Sequence, residues 1–219
     1  TEAVEPLEPL GPVAPGGGPG VGPAGGTGGP AGPAARRGDA LSSCAGAIVR
    51  DRATGATRAV RARFVVVADG ANSRFGRALG ASRDRGDPLG MALRGYYRSA
   101  RHDDPMIESH LDIRGPDGEV IPGYGWIFPK ADHVNVGVGG WGSEGPRLRA
   151  HLRRMCEAYA IDPGSATETR GYRLPMRRPQ SVLARGNTAV IGDAAGLVDP
   201  FSGDGMYEAF LSARLVTDA

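Results

Sequence analysis

The last stretch of the chain, residues 186–219, constrains the fold more than any other: GNTAVIGDAAGLVDPFSGDGMYEAFLSARLVTDA. Thr188, Ala189, Val190 and Ile191 form a short apolar run of strand type. Gly192 and Asp193 follow at once, and a carboxylate just beyond a strand end is placed to hold a ribose hydroxyl. Next comes a turn-rich segment, Asp199-Pro200-Phe201-Ser202-Gly203-Asp204-Gly205. From Met206 the spacing is helical, with Met206, Phe210 and Ala213, or Leu211 and Leu215, on one face. The order is strand, acidic turn, glycine loop, helix. The first N–H groups of such a helix have no intrahelical partner and attract an anion or an electron-rich ring edge. Gly203 and Gly205 let that backbone approach a ligand closely.

A second strand-to-turn unit lies upstream. Residues 45–51 read as a strand, Thr54-Gly55 as a turn and residues 58–63 as a return strand. Phe64-Val65-Val66-Val67-Ala68 is a buried-strand run that ends in Asp69-Gly70-Ala71-Asn72-Ser73-Arg74. Gly70 relieves the turn, and Asn72 or Ser73 can cap a short helix reaching Leu79. Read alone, this is an ordinary strand-to-helix turn.

Residues 83–182 have a different texture. Strand-like stretches at 89–98, 106–113, 124–128 and 134–139 alternate with polar or Pro/Gly turns, which suggests an antiparallel sheet. Residues 146–159 have helical spacing, with Leu148, Leu152, Met155 and Tyr159 on one side and a solvated face of Arg149, Arg153 and Arg154. Within the stretch Pro122-Gly123-Tyr124-Gly125-Trp126-Ile127-Phe128-Pro129-Lys130, strand geometry puts Tyr124, Trp126 and Phe128 on one face. Spacing alone favours a core strand there over one wall of an apolar cavity.

Residues 1–40 are dominated by glycine, proline and alanine. They have few side chains to bury against a high ordering entropy, so disorder is expected. The G-x-G-x-x-G at residues 20–25 has no strand before it and reads as a chance match. A net charge of +2 argues against nucleic acid as the main partner. Cys44 and Cys156 give no disulfide framework, and a reducing compartment is expected. His102, His110, His133 and His151 lack ligand spacing, so no metal is expected. No apolar run reaches the roughly 18 residues of a membrane span, and no signal peptide is visible.

The segment GDAAGLVDPFSGDG resembles the second flavin motif of FAD-dependent reductases and hydroxylases with the p-hydroxybenzoate-hydroxylase type of fold. ADGANSR resembles the internal DG motif of the same group. GYGWIFPK, with Asn135-Val136-Gly137-Val138-Gly139 after it, is similar to the geranylgeranyl reductase family. The resemblance runs from about Gly46 to Ala219 and implies a mixed α/β (α+β) fold. A partial FAD/NAD(P)-binding Rossmann-like domain, residues 41–82 and 183–219, would carry an inserted antiparallel β-sheet substrate domain, residues 83–182. The first glycine fingerprint of that family is not seen, and the sequence looks like the middle of an enzyme.

The resemblance further implies FAD and NADPH as cofactors. Cofactor contacts would come from Asp69, Gly70, Gly192, Asp193, Pro200, Gly203, Asp204, Gly205 and Met206. Tyr124, Trp126, Phe128 and Pro129 would line an isoprenoid pocket, with Tyr96 and Tyr97 as further wall residues. The implied reaction is saturation of a prenyl double bond in an isoprenoid lipid. It needs a proton donor, for which Tyr124 is a candidate and an ordered water is equally suited. A geranylgeranyl lipid and a menaquinone side chain are not told apart. The expected location is the cytoplasm, with peripheral contact at a membrane left open, and oligomeric state is not read. Two other readings stand beside this one: a flavin hydroxylase of aromatic substrates, and a truncated module without catalysis.

Overall fold

Alternation of apolar and small residues builds the largest layer, a five-stranded antiparallel sheet. The computed structural model describes residues 2–7, 41, 43–81, 88–115, 117–177 and 181–219. In chain order the strands are β1 (Glu2–Leu7), β2 (Gly46–Arg50), β3 (Thr57–Arg61), β4 (Val65–Val67), β5 (Leu89–Tyr97), β6 (Glu108–His110), β7 (Gly123–Pro129), β8 (Val134–Trp141), β9 (Glu168–Pro175), β10 (Ala184–Arg185) and β11 (Thr188–Val190). The helices are α1 (Arg74–Ala78), α2 (Leu148–Ala158) and α3 (Met206–Thr217). The large sheet runs β6-β7-β8-β5-β9.

One face of this sheet is a closed core. Ile127, Val134, Val136, Val138 and Tyr97 pack against Leu148, Leu152, Met155 and Cys156 of α2. Arg149, Arg153 and Arg154 stay exposed on the outer side of that helix. Tyr97 therefore belongs to the core, and of the tyrosine pair only Tyr96 shares a face with Tyr124, as the β7-β8-β5 register requires. The opposite face carries Tyr124, Trp126 and Phe128 over a lane of glycines.

A second sheet, β10-β11-β4, brings the chain after β9 back beside β4. β11 pairs parallel with β4, with Val190 opposite Val67. Below it Leu41, Cys44, Val67, Phe75, Leu79 and Val190 form a separate apolar cluster. The Cys44 N–H donates to the Thr188 hydroxyl at 3.0 Å, and Asn187 Nδ2 donates to the Cys44 and Arg63 carbonyls. Ser73 caps α1, its Oγ accepting from the Gly76 N–H at 2.9 Å. The parallel pair, the following helix and the antiparallel insert give the mixed α/β class implied by the motifs.

Two sequence expectations need correction. Glu2–Leu7 is a strand paired antiparallel with β2, where the composition of residues 1–40 predicts disorder. It precedes the glycine-rich part and contains a single proline, so backbone pairing with the β2-β3 hairpin is open to it. Residues 8–40, with the G-x-G-x-x-G match, lie outside the described residues. Strand β9 carries no alternating pattern in its sequence, because it is an edge strand with residues 169–173 exposed.

Candidate functional site

The parallel pairing of β4 and β11 brings the DG and GD turns together. The Ile191 N–H donates to the Val67 carbonyl at 3.0 Å, so both turns leave from adjacent carboxyl ends of strands. That is the edge at which open α/β sheets bind ligands. Gly70 (φ 79°) and Gly192 (φ 53°) take the left-handed conformation that the two turns need. Between them lies a cleft of about 400 Å³ lined by Ala68, Gly70, Gly192, Asp193, Gly205 and Met206. Asp69 is exposed on the same turn.

Close approach fixes residue type on the far side of the cleft. A methyl group on Gly205 would come within 2.8 Å of Asp193 Oδ1 and 3.2 Å of Val198. Asp193 is thus seated at the start of α3, where unpaired N–H groups favour negative charge. The Gly192 N–H donates to Ser212 Oγ at 3.2 Å, which ties the GD turn to the body of the helix.

The loop between the GD turn and α3 is held by its own side chains. Asp199 Oδ2 accepts from the Ser202 N–H and hydroxyl, each at 2.6 Å, and these bonds hold its pKa below the usual carboxylate range. The Gly203 N–H donates to the Asp199 carbonyl at 2.9 Å. Asp204 Oδ1 accepts from the Met206 N–H at 2.9 Å, so this carboxylate starts the helix. Asp204→Ala is therefore expected to destabilise the fold by about 0.5–2 kcal/mol, the usual loss of a helix-start acceptor. A melting curve checks this; an unchanged Tm would return Asp204 to a purely ligand-facing role.

The large sheet meets this loop at Tyr124. A methyl group on Gly203 (φ 70°) would lie 2.9 Å from the Tyr124 hydroxyl. The two elements enclose a cavity of about 180 Å³ whose walls include Tyr124, Gly139, Leu174, Pro200, Phe201 and Gly203. Burial, and secondarily the negative charge of Asp204, pushes the Tyr124 pKa up, so its phenol keeps its proton at neutral pH. Phe201 is 94% exposed and Leu111 and Trp141 also reach the cavity, giving it an apolar rim.

The other aromatic residues continue from Tyr124 along the sheet. Ring centroids are 5.7 Å apart for Tyr124–Trp126 and 6.2 Å for Trp126–Phe128. The Trp126 indole is half-buried, donates to Asn135 Oδ1 at 3.1 Å and lies across Gly137. Trp126, Phe128 and Pro129 do not border the Tyr124 cavity itself. Arg94 and Tyr172 share this face, and sequence pattern does not single them out, since their placement depends on the β8-β5-β9 strand order. Among the described residues no cluster of three His, Cys, Asp or Glu residues could hold a metal ion.

Residues 43–213 match the family described as the FAD binding domain. The chain belongs to the FAD binding domain family. It is 38% identical over 167 residues to a menaquinone reductase of Mycobacterium tuberculosis, covering 73% of this chain and 41% of that protein. It is 34% identical over 171 residues to a geranylgeranyl diphosphate reductase of Synechocystis, covering 75% and 40%. A solved geranylgeranyl bacteriochlorophyll reductase-like protein from Thermoplasma acidophilum superposes with a TM-score of 0.59 at 26% identity, covering 81% of this chain and 45% of that one. The resemblance to geranylgeranyl reductases is borne out. The chain spans about two fifths of the length of the curated relatives it matches.

The cleft fits the flavin that an FAD binding domain takes. Two left-handed glycine turns, a glycine at the helix start with no room for a side chain, and a carboxylate at a strand end line the cleft, a set of backbone and acidic groups that would suit such a cofactor.

Proposed function

We propose that the protein carrying this chain is an FAD-dependent, NADPH-driven reductase of prenyl double bonds in an isoprenoid lipid. The observation that carries this reading is the apolar cavity between Tyr124 and the Pro200–Phe201 loop, beside the flavin cleft, with the Trp126 ring next to Tyr124 along the same strand face. FAD, when bound, supplies the hydride chemistry that no side chain offers. Asp193, Gly205 and the start of α3 orient the cofactor. Phe201, Leu111 and Trp141 keep water from the apolar chain. Tyr124 holds a proton at Oη beside the cavity, where a saturating addition to an alkene needs one.

Among the described residues no helix is long and apolar enough to cross a membrane. Substrate from a bilayer would be taken up at the rim formed by the exposed Phe201. The reading is tested with the full-length holoenzyme, NADPH and three substrates: a prenylated naphthoquinone, geranylgeranyl diphosphate and a simple phenol. Mass spectrometry should show a prenyl substrate gaining two hydrogens. Gain of an oxygen by the phenol, with both prenyl lipids untouched, would replace the reductase reading with a hydroxylase.

A further inference from the structure

Strand β9 ends where the large sheet meets the GD turn. The Val198 N–H donates to the Pro175 carbonyl at 3.1 Å, and Met176 forms an isolated antiparallel bridge with Leu197. The Leu197 N–H in turn donates to the Gly192 carbonyl at 3.2 Å. These backbone links hold the strand end beside the turn that carries Asp193, so the spacing of sheet and flavin cleft is set here.

The side chain at this seam is Leu174. It pairs with Gly90 of β5, one row along from Ala92 and Gly139, and so stands on the same sheet face as Tyr124. A methyl group on Gly90 would come within 3.1 Å of Leu174 Cβ and 3.3 Å of its Cδ1. The half-buried isobutyl group thus lies across a position that has no side chain of its own. Among the described residues that border the Tyr124 cavity or the flavin cleft, Leu174 alone borders both.

A substrate carbon held in the cavity and a group held in the cleft meet at the wall that the two spaces share. Transfer between them needs the reacting atoms about 3–3.5 Å apart. An isoprenoid repeats the same alkene along its length, so the chemistry of neighbouring double bonds does not tell them apart. Depth of entry does, and a shared wall limits depth. Leu174 carries no polar atom and acts through its volume alone.

We infer that Leu174 is a positioning residue that selects which prenyl double bond is reduced, by limiting how far the chain advances from the Tyr124 cavity toward the flavin cleft. The inference rests on the prenyl-reductase reading above and narrows it to the choice of bond. The selected alkene gains a hydride on one carbon and a proton on the other, with NADPH as the reductant consumed. One methylene more or less in an apolar pocket changes selectivity about 10–200-fold, which sets the size of effect to look for.

The test uses the full-length holoenzyme with NADPH and, in turn, geranylgeranyl diphosphate and a prenylated naphthoquinone. Tandem mass spectrometry locates the saturated bonds at early turnover. The prenyl kcat is divided by the rate of NADPH-driven ferricyanide reduction, so that loss of flavin or of folded protein cancels. Leu174→Ala should change the ratio of reduction at the wild-type bond to reduction at its neighbours about tenfold or more. Leu174→Val, which removes one methylene, should change it in the same direction and covers the case that Leu174→Ala does not fold. Leu174→Phe should lower the normalised prenyl kcat at least about tenfold by filling the shared wall. Leu174→Met, close in volume, should keep the wild-type bond. The same bond reduced in every variant at an unchanged normalised kcat would overturn the inference. A lower Tm and flavin content with the bond unchanged would make Leu174 merely structural. A wild type that leaves both prenyl substrates unreduced would sink the prenyl-reductase reading, and the inference with it.

Discussion

Gly123→Ala is expected to destabilise the protein by about 3 kcal/mol, at the upper end for overpacking a site that cannot yield. Its methyl would stand 2.0 Å from the Gly139 carbonyl oxygen and 2.9 Å from Gly140 Cα. Both are backbone atoms of the paired strand, so no rotamer change relieves the clash. β7 must move off β8 where Gly123 pairs with Gly140, which also disturbs the Trp141 N–H bond to the Pro122 carbonyl. Gly123, Tyr124 and Gly139 border the cavity, so the same shift widens the space that orients substrate. For a chain of this size the loss corresponds to a Tm roughly 6–12 °C lower. Gly145→Ala is the control: its nearest atom, Met91 Cγ, is 3.6 Å away, an ordinary contact. A Tm shift no larger for Gly123→Ala than for the control would show that the sheet opens at this point without cost.

That clash also marks where sequence reading stops. The alternation of Tyr124, Trp126 and Phe128 against Gly125 and Ile127 is local, and it placed the aromatics on one face correctly. Whether that face was core or cavity depends on α2, which packs on the other side with Met155 against Gly125, beside Ile113. The two acidic turns were legible because each follows a short apolar strand. Their adjacency required the parallel pairing of β4 and β11, which no local pattern encodes. Asp204 has a role that the resemblance does not supply: its Oδ1 accepts from the Met206 N–H at the start of α3. β9 was not legible, since Glu168, Arg170 and Tyr172 have no hydrophobic alternation and owe their positions to β5 alone.

Trp126→Ala is expected to reduce prenyl turnover far more than stability. In a closed core, removing a tryptophan costs about 3–5 kcal/mol. Here the ring is half-buried and lies on the face away from α2, so the folding loss should stay below about 3 kcal/mol. The bond from Nε1 to Asn135 Oδ1 holds the indole over Gly137, with its ring 5.7 Å from that of Tyr124. Without the ring, Tyr124 loses its aromatic neighbour and the cavity wall it forms loosens beside a bound chain. Each buried CH₂ of that chain contributes roughly 0.8 kcal/mol, so a long isoprenoid should lose more than a short one. The measurement is kcat/KM of the full-length holoenzyme on a short and a long prenyl substrate, alongside Tm, with at least about a tenfold fall on the long one, or 1.4 kcal/mol. A steep drop in Tm with turnover per folded molecule unchanged would move Trp126 into the core.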